Sequence, residues 1–190
     1  MRTSRRSSAS PARLALTGTP GTGKSAVGDV LRRTAGVVEV GELAVREGVG
    51  RRTRGGIDVD LPALSRRISA GSRGIPEPIV VGHLAHLLPI RDVVVLRCRP
   101  DELRRRLRAA RRGTAADRQE NYLAEALDLV LFEARRLRRR VWEVDTTHRS
   151  VRAVAAEVAE IFDRRVPRRD RKIDWLTDPR VAAHLLDRPA

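Results

Sequence analysis

Five short apolar runs rich in β-branched residues recur along the chain: Leu14 to Thr17, Val37 to Val40, Ile79 to Val81, Val93 to Arg97 and Val141 to Val144. Each is continuous rather than alternating, the pattern of strands covered on both faces of a parallel sheet. Between these runs, apolar positions fall three and four apart, as on one face of a helix. Val27, Val30 and Leu31 make such a stripe over Ser25 to Thr34, and Gly36 stands where a left-handed residue would close that helix. Asp101 to Arg112 reads as a helix entered at Pro100. A longer helix is predicted from Thr114 to about Arg140, opened by the capping spacing of Thr114 and Asp117, with Leu123, Leu127, Val130, Ala134 and Leu137 facing inward. Ser150 opens a further one that buries Val151, Val154, Val158, Ile161 and Phe162. The alternation predicts an α/β fold, a five-stranded parallel sheet with helices on both faces.

The ends of the chain break this pattern. Residues 1–12 place Arg2, Arg5 and Arg6 among Ser, Thr, Ala and Pro, and read as a disordered basic arm. Residues 13–163 carry the predicted domain. Residues 164–190 begin with Arg164, Arg165, Arg168, Arg169, Arg171 and Lys172 and end in a segment with Trp175, Leu176, Leu185 and Leu186, read as a basic linker and a short docking helix. No apolar run approaches the roughly 18 residues needed to cross a bilayer, so a cytoplasmic protein without a membrane partner is expected. The single cysteine, Cys98, permits no internal disulfide and reads as a buried small residue. A net charge of +15 favours a polyanionic partner such as RNA. Of 39 basic residues, however, two are lysines, Lys24 and Lys172, and so strong a skew to arginine also fits a coding bias.

One lysine falls in the segment with the clearest chemistry. Gly18-Thr19-Pro20-Gly21-Thr22-Gly23-Lys24-Ser25 follows an apolar strand and opens a helix, the context a phosphate-binding P-loop requires. Glycines let backbone N–H groups close around phosphate oxygens, and the helix N-terminus adds positive potential. Lys24 is placed to reach the β- and γ-phosphates of ATP, and Ser25 Oγ to hold Mg²⁺. Gly21, Thr22, Gly23 and Ala26 complete the expected nucleotide contacts.

Beyond this loop, the chain resembles the family called adenylate kinase isoenzyme six, or the coilin-interacting nuclear ATPase protein family, and especially its archaeal members. The resemblance runs from about Arg13 to Phe162 and is carried by Leu14 to Ser25, Val40-Gly41-Glu42-Leu43-Ala44, Val80 to Pro89, Leu96-Arg97-Cys98 and Glu120-Asn121. It implies a P-loop NTPase fold of nucleoside monophosphate kinase type. It also implies adenylate kinase and ATPase activities with AMP as acceptor, and a part in small-ribosomal-subunit maturation with a platform ribosomal protein and rRNA as partners.

The resemblance further implies a nucleoside monophosphate segment at about 41–64 and a lid at about 108–121. Arg51, Arg52 and Arg54 stand in the first, Arg106, Arg111 and Arg112 in or beside the second, and Arg112 before Gly113 best matches the family's lid arginine. His83 matches the histidine of a D-x-H motif that family members use for metal binding and for orienting the attacking water. Here the motif reads Val81-Gly82-His83, so its aspartate is missing, and either Ser25 holds the metal with water or Glu42, Asp60 or Asp145 stands in. Three functions stay open at this point: phosphoryl transfer to AMP, an assembly ATPase acting on ribosomal protein and rRNA, and a kinase for another small acceptor.

Overall fold

Aliphatic runs of three to six residues form the five strands of the main sheet because each residue can be buried from one side or the other. The computed structural model describes residues 14–53, 56–70, 77–137, 139–164 and 173–186. The strands are β1 (Leu14–Gly18), β2 (Val37–Glu39), β5 (Ile79–Val81), β6 (Asp92–Arg97) and β7 (Arg140–Asp145), in the order β2-β5-β1-β6-β7 and parallel throughout. Successive side chains point to opposite faces. Leu14, Leu16, Ile79, Val81, Val94 and Leu96 meet helices α1 (Lys24–Leu31) and α7 (Val151–Phe162) on one face. Ala15, Val80, Val93 and Val95 meet α2 (Val40–Arg46), α3 (Leu61–Ser69) and α6 (Leu129–Arg136) on the other. Helices α4 (Pro100–Ala109) and α5 (Ala115–Ala126) pack together beside the β1 and β6 ends.

The strand order places β1 between β5 and β6, so the loop after β1 opens at the carboxyl edge in the middle of the sheet. Ligands of open α/β sheets bind along that edge. A separate antiparallel hairpin, β3 (Gly50–Thr53) and β4 (Gly56–Val59), lies between α2 and α3. Its Gly-Arg-Arg-Thr strand has no apolar run to betray it in the sequence. The hairpin is held by Val49 and Val59, which pack on the core, and by Ile57 against Gly41.

Several expectations need correction. The long helix predicted from Thr114 to about Arg140 is two helices, α5 and α6, broken where Asp128 adopts a left-handed conformation with φ 57°. Aspartate tolerates that conformation better than most residues, and the Asp128 carboxylate is engaged by Arg97. The break turns Leu127 and Leu137 outward, to 59% and 43% exposure, against their expected inner positions. Val151, in the first turn of α7, is 40% exposed for the same reason that helix ends leave the core. Gly36 is not among the left-handed glycines: α1 ends at Leu31, capped by Arg32, and Gly36 lies against Pro78, where a Cβ would come within 3.1 Å of the proline ring.

The capping pattern at Thr114 and Asp117 is present, with both reciprocal hydrogen bonds formed. Cys98 is buried, and burial pushes its thiol pKa up to about 12. The basic arm and residues 165–172 lie outside the described residues. Beyond them, a 3₁₀ turn (Trp175–Thr177) leads to α8 (Pro179–Leu186). Trp175 and Val181 pack on Tyr122 and Ala126 of α5, which ties this segment to the domain. Among the described residues, no helix is long and apolar enough to cross a membrane.

Candidate active site

The loop between β1 and α1 owes its shape to glycine. Gly18 has φ 141°, and a Cβ there would stand 2.4 Å from the Leu96 carbonyl oxygen, so no other residue lets β1 leave the sheet so close to β6. Gly23, at φ 99°, turns the chain into α1 and leaves the first N–H groups of that helix facing the cleft. Thr22 is buried behind the loop and donates its hydroxyl to the Thr19 carbonyl at 2.9 Å. Lys24 Nζ donates to the carbonyls of Gly18, at 2.7 Å, and Thr19, at 3.0 Å, which folds the ammonium back over the loop. Burial lowers the Lys24 pKa to about 8, against the opposing pull of Glu125 and Glu39.

A cavity of about 390 Å³ opens over this loop. Lys24, Ser25, Glu39, His83, Arg106 and Arg112 supply its polar wall, together with Gly21, Gly23 and Ala26. The structure thus brings together Gly21, Gly23, Lys24, Ser25, Ala26, His83 and Arg112 from three separate stretches of chain. His83 follows β5, where desolvation in the cleft, with Lys24 and His86 nearby, lowers its pKa and favours the neutral ring. His86 does not join it. Its Nδ1 lies 3.0 Å from Thr17 Oγ1 and its Nε2 3.0 Å from Glu133, inside the fold.

The carboxylates suggested to replace the missing aspartate are placed elsewhere. Glu42 pairs with Arg52 at 2.6 Å, Asp60 accepts from the Ala63 N–H at the start of α3, and Asp145 accepts from the Thr147 N–H. The carboxylate on the cavity wall is Glu39, the last residue of β2. Burial raises its pKa, and hydrogen bonding to Ser25 opposes that rise. Sequence reasoning passed over Glu39 because it reads as the polar end of an apolar strand. The available signal was its position, since strand ends at this edge face the ligand. The hairpin arginines Arg51 and Arg52 pair with Asp58 and Glu42, and neither lines the cavity. Arg54 lies outside the described residues, and Arg111, at φ 51°, is not on the cavity wall.

Beneath the loop, a buried network was also invisible in the sequence. Glu125 of α5 accepts from Thr19 Oγ1 at 2.5 Å, from Arg97 Nε at 2.8 Å, from the Cys98 N–H at 3.0 Å and from Trp175 Nε1 at 3.2 Å. Arg97 also donates to Glu143 at 3.1 Å and to Asp128. One carboxylate thereby joins the phosphate loop, the end of β6 and the C-terminal segment. On the far side of the loop, a second cavity of about 410 Å³ lies between α4 and the residues after β7, with Arg105, Arg106, Thr146, His148 and Arg149 on its wall. Arg106 faces both cavities and is fixed by donating to Thr146 O at 2.7 Å and to Glu102 at 2.9 Å.

Ser25 and Glu39 supply a hydroxyl and a carboxylate to the same cavity wall, a donor set suited to a hard cation such as Mg²⁺. Residues 14–128 match the model of the family described as AAA domain. The chain is similar to a protein named "Putative adenylate kinase" from Archaeoglobus fulgidus, 42% identical over 171 residues that cover 87% of this chain and 92% of that protein. It is likewise similar to a protein of the same name from Natronomonas pharaonis, 40% identical over 156 residues, 80% of this chain and 90% of that one. Among solved structures, an uncharacterized protein from Eubacterium ventriosum shares the fold with a TM-score of 0.50 at 10% identity, covering 80% of this chain and 98% of that one.

Proposed function

Because the chain belongs to the AAA domain family and to the family of these archaeal relatives, we propose that it is an adenylate kinase-like phosphotransferase, moving a phosphoryl group from MgATP to AMP, with ATP hydrolysis as a side reaction. The observation that carries this reading is the convergence of Lys24, Arg106 and Arg112 on one cavity with the Gly18 to Ser25 loop. Phosphoryl transfer needs little covalent help from protein. It needs reactants held in line and negative charge neutralised where it accumulates.

In this reading, the N–H groups of Gly21 to Ser25 bind the β-phosphate, and Lys24 leaves the loop carbonyls to bridge β- and γ-phosphates. Ser25 would hold Mg²⁺, which when bound would supply positive charge against that of the polyphosphate. Arg106 and Arg112 stabilise the group in transit. The base and ribose of ATP take the second cavity, against Arg105, Thr146 and Arg149. The acceptor enters from the side of residues 41–64, which fold as α2, the hairpin and the start of α3. The segment 108–121, from the end of α4 to α5, acts as the lid that carries Arg112 and excludes water from the closed site. His83 favours the neutral ring and faces the cavity, so it can hold a water molecule when no acceptor is bound.

The second reading, an assembly ATPase acting on ribosomal protein and rRNA, draws on the net charge of +15. One assay separates the readings: ADP formation from ATP alone, with AMP, with other small acceptors, and with RNA or ribosomal protein. At least a ten-fold stimulation by AMP, with ADP formed from both substrates, is expected. Stimulation by RNA or ribosomal protein and not by AMP would replace the kinase by the switch, and stimulation by another acceptor would move the assignment to a different small-molecule kinase.

A further inference from the structure

The polar wall of the cavity over the phosphate loop is cationic, as a polyphosphate site must be, with one exception. Among the described residues that line it, Lys24, Arg106 and Arg112 carry positive charge, and Glu39 is the single acid. A carboxylate in a site built for phosphate is unfavourable by itself. Two like charges held close together repel, and more strongly in a partly buried cleft than in bulk water. The placement becomes favourable if a cation lies between carboxylate and phosphate.

Position supports this. Glu39 ends β2 and stands in register with Val81 at the end of β5. Val81 is fully buried and apolar, so the end of β5 offers the cavity no oxygen ligand from that side chain. The Glu39 carboxylate instead lines the same cavity as Ser25, the first residue after Lys24 in α1. The turn from β2 into α2 fixes it, since Glu39 is the extended residue that precedes Val40, and Val40 in turn packs against Gly82, where a Cβ would come within 2.8 Å. Mg²⁺ in nucleotide sites is held by one or two carboxylates, hydroxyls and waters together with phosphate oxygens. Ser25 and Glu39 are such a pair.

We propose that Glu39 is the carboxylate that anchors the nucleotide-bound divalent cation in this chain, acting from β2 beside Ser25. The inference rests on the reading that the loop holds a nucleotide polyphosphate.

Calorimetric titration of ATP into the full chain, in excess chelator and in excess Mg²⁺, tests both levels separately. Metal-free ATP binding to the unaltered protein tests the nucleotide site, and its absence together with absent MgATP binding would remove that reading. The ratio of the two affinities tests Glu39. In Glu39→Gln, the preference for MgATP over metal-free ATP is expected to fall at least ten-fold, with metal-free ATP bound as well as before or better, because the repelling charge is gone. Glu39→Asp should restore part of the preference. Electron paramagnetic resonance of Mn²⁺ with ADP gives an activity-independent check: the protein-bound Mn²⁺ signal should weaken at least ten-fold in Glu39→Gln. An unchanged metal preference, or equal loss of ATP affinity with and without metal, would overturn the proposal and leave Glu39 as an acceptor-binding or structural residue.

Discussion

Two arginines of this chain sit in opposite surroundings. Arg97, at the end of β6, is 1% exposed and donates to Glu125, Asp128 and Glu143 directly beneath the phosphate loop. Arg52, on the β3–β4 hairpin, pairs with Glu42 at 2.6 Å while their side chains remain 64% and 50% exposed. Both are ion-paired, yet the pairs differ in what solvent leaves them. In the interior, each charge has been taken from water, and loss of one partner strands the others. On the hairpin, water and salt screen the pair, and its contribution falls to about 0–1 kcal/mol. In a sequence where 39 residues are basic and two of these are lysines, residue type therefore says little about role. The partners and their burial say more.

The largest test of this contrast is Arg97→Ala. Removing the guanidinium leaves Glu125 buried without its cation and Glu143 with Arg135 alone, and a loss of about 3–5 kcal/mol in unfolding free energy is expected. Urea denaturation of the variant measures it. A loss below about 1 kcal/mol would place Arg97 with the surface pairs and end the comparison. Because Glu125 also accepts from Thr19 and from Trp175, the variant should loosen the phosphate loop and the C-terminal segment together.

An intermediate case sharpens the contrast. Glu102, on α4, is 4% exposed, but its partner Arg105 is 69% exposed, and Arg106 is 26% exposed. Hydrogen bonding from Arg105, then from Arg106, outweighs burial and lowers the Glu102 pKa to about 2. The unfolded chain takes up this proton near pH 4.5 and the folded chain only near pH 2, so stability from the pair is complete above pH 4.5 and lost as pH falls through that window. Screening at the exposed Arg105 keeps the amount small. Acid titration of stability should show a steeper slope in the parent protein than in Glu102→Gln, where the other carboxylates held down by their partners, Glu77, Asp101, Asp117 and Asp178, still titrate. A parallel acid limb in both would show that Glu102 is not held ionised by its arginines.

What the sequence made legible follows the same division by partner distance. The five strands, the phosphate loop, the Thr114 cap and the places of Lys24, Ser25 and His83 could be read because each depends on neighbours along the chain or on strand ends, whereas Arg112 was singled out among many arginines by the family resemblance alone. The hairpin could not, since Gly50 to Thr53 carries no apolar pattern and is ordered by packing from Val49 and Val59. The break at Asp128 could not either, because Arg97, 31 residues away, engages the carboxylate there. Glu39 was missed for a related reason: its significance comes from Ser25 and Val81, brought beside it by the sheet order.

The smallest expected effect on stability belongs to Arg52, and it is the one that separates composition from function on the hairpin. Arg52→Ala removes a 2.6 Å pair whose members are both more than half in solvent or close to it, so unfolding free energy should change by less than about 1 kcal/mol. If the 41–64 segment closes over AMP, the same substitution removes a cation from the acceptor side. The KM for AMP should then rise several-fold, while ATP hydrolysis without AMP changes little. Glu42→Ala provides the internal control, because it breaks the same ion pair and leaves Arg52 in place. An Arg52 that serves AMP predicts a KM effect in the arginine variant and none, or a slight gain, in the glutamate variant. Equal behaviour of the two, at unchanged stability, would mean that the hairpin pair is surface dressing and that the acceptor phosphate is met by other residues of the cleft.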